Sequence, residues 1–196
     1  MNKKEVLVEI SARHMHVTQE HLEILFGEGA TLTPIKDLSQ PNQFACAERV
    51  DVVGPRNTIK RVTILGPTRP ETQVEVSLTE ARQLGIKAQV RMSGSIEDTE
   101  GCKLVGPKGE VVIEKGVIAA KRHIHFSNEE AKEYDVADNE TVMIKVISDN
   151  RALIFDDVVI RVNKNFKAAM HIDTDEANAA GLTQSVMGEI IKKTIG

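Results

Sequence analysis

Residues 13–20 carry the sequence RHMHVTQE, and residues 122–129 carry the matching sequence RHIHFSNE. A second pair of matching segments follows each of these, with EVSLTEA at residues 75–81 and HIDTDEA at residues 171–177. Self-similarity in the same order indicates two related structural units. Each unit is predicted to contain a strand, an RHxH segment, a capped helix, hairpins, a strand that ends in one more potential ligand, and a second capped helix.

Short strands and turns at regular intervals predict a mainly β fold. Residues 5–11 alternate apolar and polar side chains, and three hairpins are predicted around the turns at residues 54–57, 106–109 and 149–150. Four short helices are predicted to begin at residues that cap helix N-termini. The predicted caps are Thr18, Ser77, Ser127 and Asp173.

The repeat places an approximate boundary near the middle of the chain. Residues 1–90 are predicted to form the first half and residues 91–196 the second. A strand of one half can be exchanged, which means that it pairs within the other half. We expect two similar small β-barrel domains with short helices.

Composition restricts the class of protein. The chain has 196 residues, of which 41% are hydrophobic and 28% charged, as in soluble globular proteins. A net charge of −4 and an aromatic content of 3% argue against a nucleic-acid partner. The sequence has no apolar run of about 20 residues, so no membrane span is predicted. Cys46 and Cys102 form no CxxC pair, which favours free thiols and a cytoplasmic location.

Five of the six histidines fall within the repeated segments. Residues i and i+2 of a strand point to the same side, so both histidines of an HxH pair can reach one ion. Each unit supplies a third ligand-type residue at the same position of the repeat, and three protein ligands are typical of an open zinc site. The predicted ligand sets are His14, His16 and Glu75 in the first unit, and His123, His125 and His171 in the second.

Other interpretations of the histidine pattern are weaker. A single HxH pair is as typical of strand histidines that bind no metal as it is of a metal site. A cupin site would need an upstream glycine and a strand glutamate, an amidohydrolase barrel needs about 250 residues, and a structural zinc site favours cysteines. His21 lies outside the repeat, on the helix that begins at Thr18, and is predicted to have a surface or capping role.

Three arginines accompany the proposed ligands. Arg69 ends the segment GPTR at residues 66–69, six positions before Glu75. A guanidinium group suits a tetrahedral oxyanion such as phosphate, although a solvated turn arginine is the alternative. Arg13 and Arg122 precede the HxH pairs by one position and therefore point to the opposite face, where we expect structural ion pairs.

Four segments together resemble one known family. SARHMHVT, GPTRPETQVEVS, GVIAAKRHIHFS and MHIDTDEANAAG are similar to motifs of the PduL-type phosphotransacylases, also called phosphate propanoyltransferases. The resemblance runs from about Val6 to Gly181, with the motifs in family order. It implies two β-barrel domains, a dimetal zinc site between them, and reversible conversion of acyl-CoA and phosphate to acyl phosphate and coenzyme A.

The resemblance also implies roles for individual residues. The six predicted ligands would bind two Zn²⁺ ions, with Co²⁺ as a possible substitute, and Arg69 would contact phosphate. The expected partners are acyl-CoA or coenzyme A and inorganic phosphate, with a propanoyl or acetyl group transferred, and a homodimer is expected. Family members of bacterial microcompartments carry an N-terminal targeting peptide, and the dozen residues before Arg13 are predicted to be a strand instead.

Two other function classes are compatible with the residues alone. A metal-dependent hydrolase of a thioester or phosphate ester would use the same ligands to activate water. A non-catalytic, zinc-stabilised binding module would bind metal without turnover. No GxSxG, Walker or GxGxxG motif is present, so covalent serine chemistry and nucleotide-type phosphate loops have no support.

Overall fold

The computed structural model describes residues 4–193, and its contacts divide them into two compact units. One unit, here called the barrel unit, comprises residues 4–11, 39–41 and 121–193. The other, here called the sheet unit, comprises residues 12–38 and 42–120. The chain therefore starts in the barrel unit, leaves it for the sheet unit, returns briefly at residues 39–41, and returns again at residue 121.

Within the described residues there are 15 strands and four helices. The strands are β1 Glu5–Ile10, β2 His14–His16, β3 Pro34–Asp37, β4 Phe44–Val53, β5 Thr58–Gly66, β6 Gln73–Glu75, β7 Gln89–Arg91, β8 Cys102–Val105, β9 Glu110–Ile113, β10 Val117–Ala120, β11 His123–Phe126, β12 Thr141–Val146, β13 Leu153–Val162, β14 Ala169–Ile172 and β15 Val186–Lys192. The helices are α1 Gln19–Phe26, α2 Leu78–Leu84, α3 Asn128–Tyr134 and α4 Thr174–Ala179. A mainly β fold with short helices is thereby confirmed.

The barrel unit is a closed barrel with strand order β1-β14-β11-β13-β12-β15, in which β15 pairs antiparallel with β1. Alternate side chains of each strand point inward, as the pleat requires. Val8, Ile124, Ile144, Ile160 and Met170 are all fully buried in its core. The predicted alternation of the first strand is confirmed, because Val6 and Val8 face this core.

The sheet unit is built on a nine-stranded sheet with the path β7-β10-β6-β2-β5-β4-β8-β9, and β3 pairs with β4. Its core is a separate cluster that includes Met15, Ile64, Val74 and Leu104. The order β6-β2-β5-β4 matches β14-β11-β13-β12 of the barrel, with the same parallel and antiparallel pairings. The repeat predicted from sequence is therefore also a repeat of strand order.

The strand that precedes each RHxH segment pairs within the other unit. β1 comes just before the first segment, yet it pairs with β14 and β15 of the barrel. β10 comes just before the second segment, yet it pairs with β6 and β7 of the sheet unit. The compact units have other boundaries than the predicted halves, 1–90 and 91–196. These halves describe the sequence repeat and stay a prediction. A metal site between the two domains also stays a prediction.

Each helix begins immediately after its predicted cap. In α2, α3 and α4 the cap and a glutamate three residues later form a capping box, in which each side chain bonds the other's backbone N–H. No helix within residues 4–193 is both long and apolar enough to cross a lipid bilayer.

All three predicted hairpins are present, as β4–β5, β8–β9 and β12–β13. The sequence does not reveal β3, β7 or β10, because each has only three or four residues and none alternates between buried and exposed side chains.

Candidate metal centres

Both HxH pairs lie on short strands whose residues are all buried. On β2, the intervening Met15 belongs to the core of the sheet unit, so His14 and His16 face the opposite side. On β11, the intervening Ile124 belongs to the core of the barrel, and His123 and His125 face away from it. The two-residue spacing therefore presents both imidazoles of each pair on one surface of the strand.

Strand register brings the third residue of each set beside the first. β6 pairs antiparallel with β2 and places Glu75 opposite His14. β14 pairs antiparallel with β11 and places His171 opposite His123. Within each set one potential ligand atom per residue lies within 4.8 Å of the others. The structure thus brings together both predicted sets, namely His14, His16 and Glu75, and His123, His125 and His171.

Backbone carbonyls orient three of the imidazoles. The Nδ1 atoms of His14, His16 and His123 each lie at hydrogen-bond distance from a backbone carbonyl oxygen. A carbonyl oxygen can only accept, so Nδ1 carries the proton and Nε2 of the neutral ring carries the lone pair that a metal ion needs. The accepting carbonyls are those of Ala12 at 2.9 Å, Leu65 at 3.1 Å and Lys121 at 2.8 Å.

The electrostatics of the first set favour a cation. His14 Nε2 lies 3.4 Å from Glu75 Oε2. Burial lowers the pKa of His14, but the Glu75 carboxylate outweighs burial and holds that pKa above its usual value. Burial raises the pKa of Glu75, but the charge of His14 outweighs it and holds that pKa far below its usual value. Burial, then His14 and Arg69, lower the pKa of His16 to about 3. Two nitrogen donors and one carboxylate fit a divalent transition metal such as zinc.

The second set consists of neutral donors only. The His171 ring lies 5.3 Å from the ring of His123 and 5.0 Å from that of His125, measured between centroids. The Phe166 ring packs on His125 at 4.3 Å. Three imidazoles also match the ligand chemistry of a catalytic zinc ion. A carboxylate, Glu9 Oε2, lies 3.2 Å from His171 Nε2.

A hydrogen-bond network joins Arg69 to the first set. Arg69 donates from a guanidinium nitrogen to Ser93 Oγ at 3.1 Å. Gln73 Nε2 donates to the same Ser93 Oγ at 3.0 Å and to Glu75 Oε1 at 2.6 Å. The Gln73 side-chain oxygen accepts from the backbone N–H of Gly94 at 2.7 Å. Arg69 is therefore held in the same unit as the first set and coupled to its carboxylate through two side chains.

Sequence reasoning missed the two linking residues, Gln73 and Ser93. Ser93 lies in a segment that resembles a flexible Ser-Gly-Ser loop, and its contacts come from residues at least 20 positions away. Gln73 gave a usable signal, because it lies two positions before Glu75 on the same strand and therefore shares its face.

The arginines before the HxH pairs form the predicted ion pairs. Arg13 lies 2.7 Å from Glu80 Oε1, and Arg122 lies 2.8 Å from Glu176 Oε1. Each glutamate belongs to the capping box of α2 or α4, so each arginine braces the helix that follows the third ligand.

His21 belongs to neither ligand set. Its Nδ1 lies 2.7 Å from Thr72 Oγ1, and its backbone N–H bonds the cap residue Thr18. The surface or capping role expected for His21 stays a prediction. Cys46 and Cys102 are free, as the sequence predicts. Both are buried, and burial raises the pKa of their thiols to about 11 and about 12.

A family model matches the part of the chain that contains these residues. The family model described as phosphate propanoyltransferase matches residues 7–183, a range that includes both ligand sets and Arg69. The chain belongs to the phosphate propanoyltransferase family. The family assigns an enzyme class, because phosphate propanoyltransferases are acyltransferases.

Relatives with the same family name cover nearly all of the chain. A phosphate propanoyltransferase of Leptotrichia buccalis is 56% identical over 187 residues, which are 95% of this chain and 88% of the relative. One of Clostridioides difficile is 51% identical over 193 residues, 97% of this chain and 92% of the relative. One of Thermotoga maritima is 50% identical over 187 residues, 95% of this chain and 89% of the relative.

Proposed function

We propose that this enzyme transfers a short acyl group, propanoyl or acetyl, reversibly between coenzyme A and inorganic phosphate, with two zinc ions as cofactors. The names of the relatives support the acyl group and the phosphate. The observation that carries the proposal is the network from Arg69 through Ser93 and Gln73 to Glu75. It holds an anion-binding group and a metal-ligand set in one rigid arrangement.

Arg69 is assigned to phosphate. Its guanidinium can donate to two phosphate oxygens at once and balance part of their charge, while the bond to Ser93 fixes its direction. Because the side chain holds the dianion in place, one phosphate oxygen can be kept aimed at the thioester carbonyl carbon. Such positioning replaces an encounter in solution and lowers the entropic part of the barrier.

The transfer itself needs no nucleophile from the enzyme. The phosphate oxygen forms a bond to the carbonyl carbon, the carbon–sulfur bond breaks, and the electron pair leaves on the sulfur of coenzyme A. The proton of the hydrogen phosphate ends on that thiolate, so the products are acyl phosphate and coenzyme A. The buried, unreactive thiols of Cys46 and Cys102 are consistent with direct transfer.

The two ligand sets would each hold one zinc ion. His14, His16 and Glu75 supply two neutral nitrogens and one negative charge, and the second set supplies three neutral nitrogens. Bound zinc supplies Lewis acidity, which polarises the thioester carbonyl and stabilises the negative charge that develops on its oxygen. Cobalt(II) is expected to substitute, because it accepts the same ligands.

The decisive experiment measures release of coenzyme A from propanoyl-CoA and acetyl-CoA, with and without phosphate, and traps acyl phosphate as its hydroxamate. We expect release to require phosphate and to match the acyl phosphate formed. Release without phosphate and without acyl phosphate would instead identify the metal-dependent thioesterase. Hydrolysis of a phosphate ester, the other hydrolase alternative, is tested with a chromogenic phosphomonoester.

A homodimer and a cytoplasmic location stay predictions. Sedimentation equilibrium tests the first, and cell fractionation tests the second.

A further inference from the structure

We propose that Gln73 is a positioning residue for Glu75, and that its amide turns this carboxylate so that Oε2 faces the metal ion of the first set. This inference deepens the proposed two-metal function and rests on it. Gln73 Nε2 lies 2.6 Å from Glu75 Oε1, and both residues are buried, 3% and 8% exposed. A hydrogen bond to a charged carboxylate is stronger than one between neutral groups, so this contact holds Oε1 in place.

The orientation of the Gln73 amide follows from its other contacts. The backbone N–H of Gly94 lies 2.7 Å from the side-chain oxygen of Gln73. A backbone N–H can only donate, so the amide atom that it meets is the oxygen, and the atom that meets Glu75 is the nitrogen. The same nitrogen also donates to Ser93 Oγ at 3.0 Å. Turning the amide over would place two oxygens against each other at Glu75 and two donors against each other at Gly94.

The other oxygen of Glu75 faces the ligand nitrogen of His14. Glu75 Oε2 lies 3.4 Å from His14 Nε2, while His14 Nδ1 lies 2.9 Å from the carbonyl oxygen of Ala12. That carbonyl accepts the hydrogen of the neutral ring, so Nε2 and Oε2 are two neighbouring atoms that both carry free electron pairs. A cation beside them satisfies both. Gln73 and the metal ion therefore bind different oxygens of one carboxylate.

The repeat indicates why only one of the two sets has such a residue. Gln73 is registered with His16 on β2, and Ala169 is registered with His125 on β11. The ligand two positions later is a glutamate in the first case and a histidine, His171, in the second. A carboxylate has two equivalent oxygens and turns about a torsion with only broad preferences, so a partner is needed to select one oxygen. A neutral imidazole accepts through a single nitrogen and needs no such selection.

Metal chemistry gives this contact a function. Hydrogen-bond partners of metal ligands orient them before the ion binds, and their loss typically weakens metal binding or activity. Glu75 is the one ligand of the first set that carries a negative charge, so its direction decides how well the charge of the ion is balanced. The amide oxygen of Gln73 already accepts from Gly94, so Gln73 acts through Glu75 and is not a ligand itself.

The test compares Gln73→Met with the matched control Gln89→Met. Methionine keeps the length of the side chain and removes its hydrogen bonds, and the amide of Gln89, on β7, donates to the backbone carbonyl of Asp98 instead of a ligand. Zinc content after dialysis against a chelator and zinc affinity by competition are measured. We expect Gln73→Met to bind one of its two zinc ions about 10- to 100-fold more weakly, the range for loss of such a partner. Gln89→Met should match the unmodified enzyme.

Two further measurements separate positioning from a structural role. The cobalt(II)-substituted Gln73→Met enzyme should have an altered visible absorption spectrum, because the direction of one ligand oxygen changes. Glu75→His gives the first set the three imidazoles of the second set, which has the apolar Ala169 at the matching position. Adding Gln73→Met to Glu75→His should therefore weaken metal binding no further. A further loss as large as in Gln73→Met alone would overturn the inference, since Gln73 would then act on another group.

The outcomes distinguish the inference from the function on which it rests. An unmodified enzyme with fewer than two metal ions overturns both. Two ions in the unmodified enzyme, together with equal zinc affinities and cobalt spectra for Gln73→Met and Gln89→Met, overturn the role of Gln73 alone. In that case a kinetic defect for phosphate equal to that of Ser93→Ala would assign Gln73 to the support of Arg69. A lowered metal-free Tm with unchanged zinc affinity would assign it to the stability of the sheet unit.

Discussion

The contacts of Arg69 distinguish it from the other arginines near the metal ligands. Arg13 and Arg122 are paired with glutamates of capping boxes, whereas Arg69 donates to the hydroxyl of Ser93. The guanidinium of Arg69 carries a positive charge at any physiological pH. The influence of Arg69 on the pKa of His16 indicates that this charge acts at the first ligand set.

Arg69→Ala should lower phosphate-dependent turnover by about 10²-fold or more, the scale for loss of one charge contact in the transition state. Arg69→Lys should recover only part of the loss, because lysine keeps the charge without the fork. The defect should be found when phosphate is varied and be weak when acyl-CoA is varied. Arg56→Ala, at the exposed tip of the β4–β5 hairpin, is the control. Normal turnover and unchanged metal content in Arg69→Ala would contradict the role of Arg69, and would mean that the metals and backbone amides alone bind phosphate.

Ser93→Ala removes the acceptor that fixes Arg69 and Gln73. We expect a smaller effect than for Arg69→Ala, about 10-fold in kcat/KM for phosphate, because the guanidinium remains but loses its orientation. Ser95→Ala changes an exposed serine of the same loop and should have little effect. Steady-state kinetics with phosphate varied decide the matter, and equal kinetics for the two variants would contradict the positioning of Arg69 by Ser93.

The thiols of Cys46 and Cys102 should be dispensable. Because burial raises their pKa to about 11 and about 12, little thiolate forms near neutral pH. The double variant Cys46→Ala, Cys102→Ala should keep most of its specific activity, and the folded enzyme should react slowly with a chromogenic disulfide. An acyl group trapped on either sulfur, detected by mass spectrometry, would exclude direct transfer.

At the scale of single elements, the helix caps and the sequence repeat account for most of what could be predicted. Cap residues such as Ser77 and Asp173 act on N–H groups within three residues, so sequence alone predicts where the helices begin. The third ligands were predicted only because the chain repeats itself. The contact between Glu9 and His171 was not predicted, since it depends on parallel pairing of strands far apart in the sequence. Ser93 was missed because it lies in a turn and its contacts come from residues 20 and 24 positions away.

Helix α4 should make stability depend on pH through Glu176. Burial is the largest influence, and it raises the pKa of Glu176 to about 7 despite the ion pair with Arg122. The folded state therefore binds a proton that the unfolded state releases near its ordinary pKa of 4.5. Because the folded state binds more protons between these values, this contribution to stability is present at low pH and is lost as pH rises through about 7.

Glu176→Gln mimics the protonated carboxyl and tests this dependence. The Tm of the variant should equal that of the unmodified enzyme near about pH 4 and exceed it near about pH 8. Glu129→Gln removes a charge from an exposed position in the first turn of α3 and should give a pH-independent difference. A Glu176→Gln enzyme that becomes relatively less stable as pH rises would mean that the Arg122 pair outweighs burial.

For the whole molecule, metal content is the broadest test. Enzyme purified without chelator should contain close to two transition-metal ions per chain, mostly zinc, because two three-residue sets are present. Removing metal should abolish transfer and lower Tm, since an ion that binds only the folded state stabilises it by about 2.7 kcal/mol at a free concentration 100 times its Kd. Elemental analysis with calorimetry measures both effects. A metal content near zero would contradict the proposed chemistry.

The pairing of β1 has a consequence for biosynthesis. Val8 is translated before its partner Met170, which follows 162 positions later. At about 5–20 residues per second, the ribosome needs roughly 8 to 30 s to span that distance. During this interval β1 has neither of its neighbours β14 and β15, and its apolar residues Val6 and Val8 have no core to enter. The nascent chain must therefore keep β1 from aggregating until β14 and β15 have emerged, which makes this segment a natural client for a ribosome-bound chaperone.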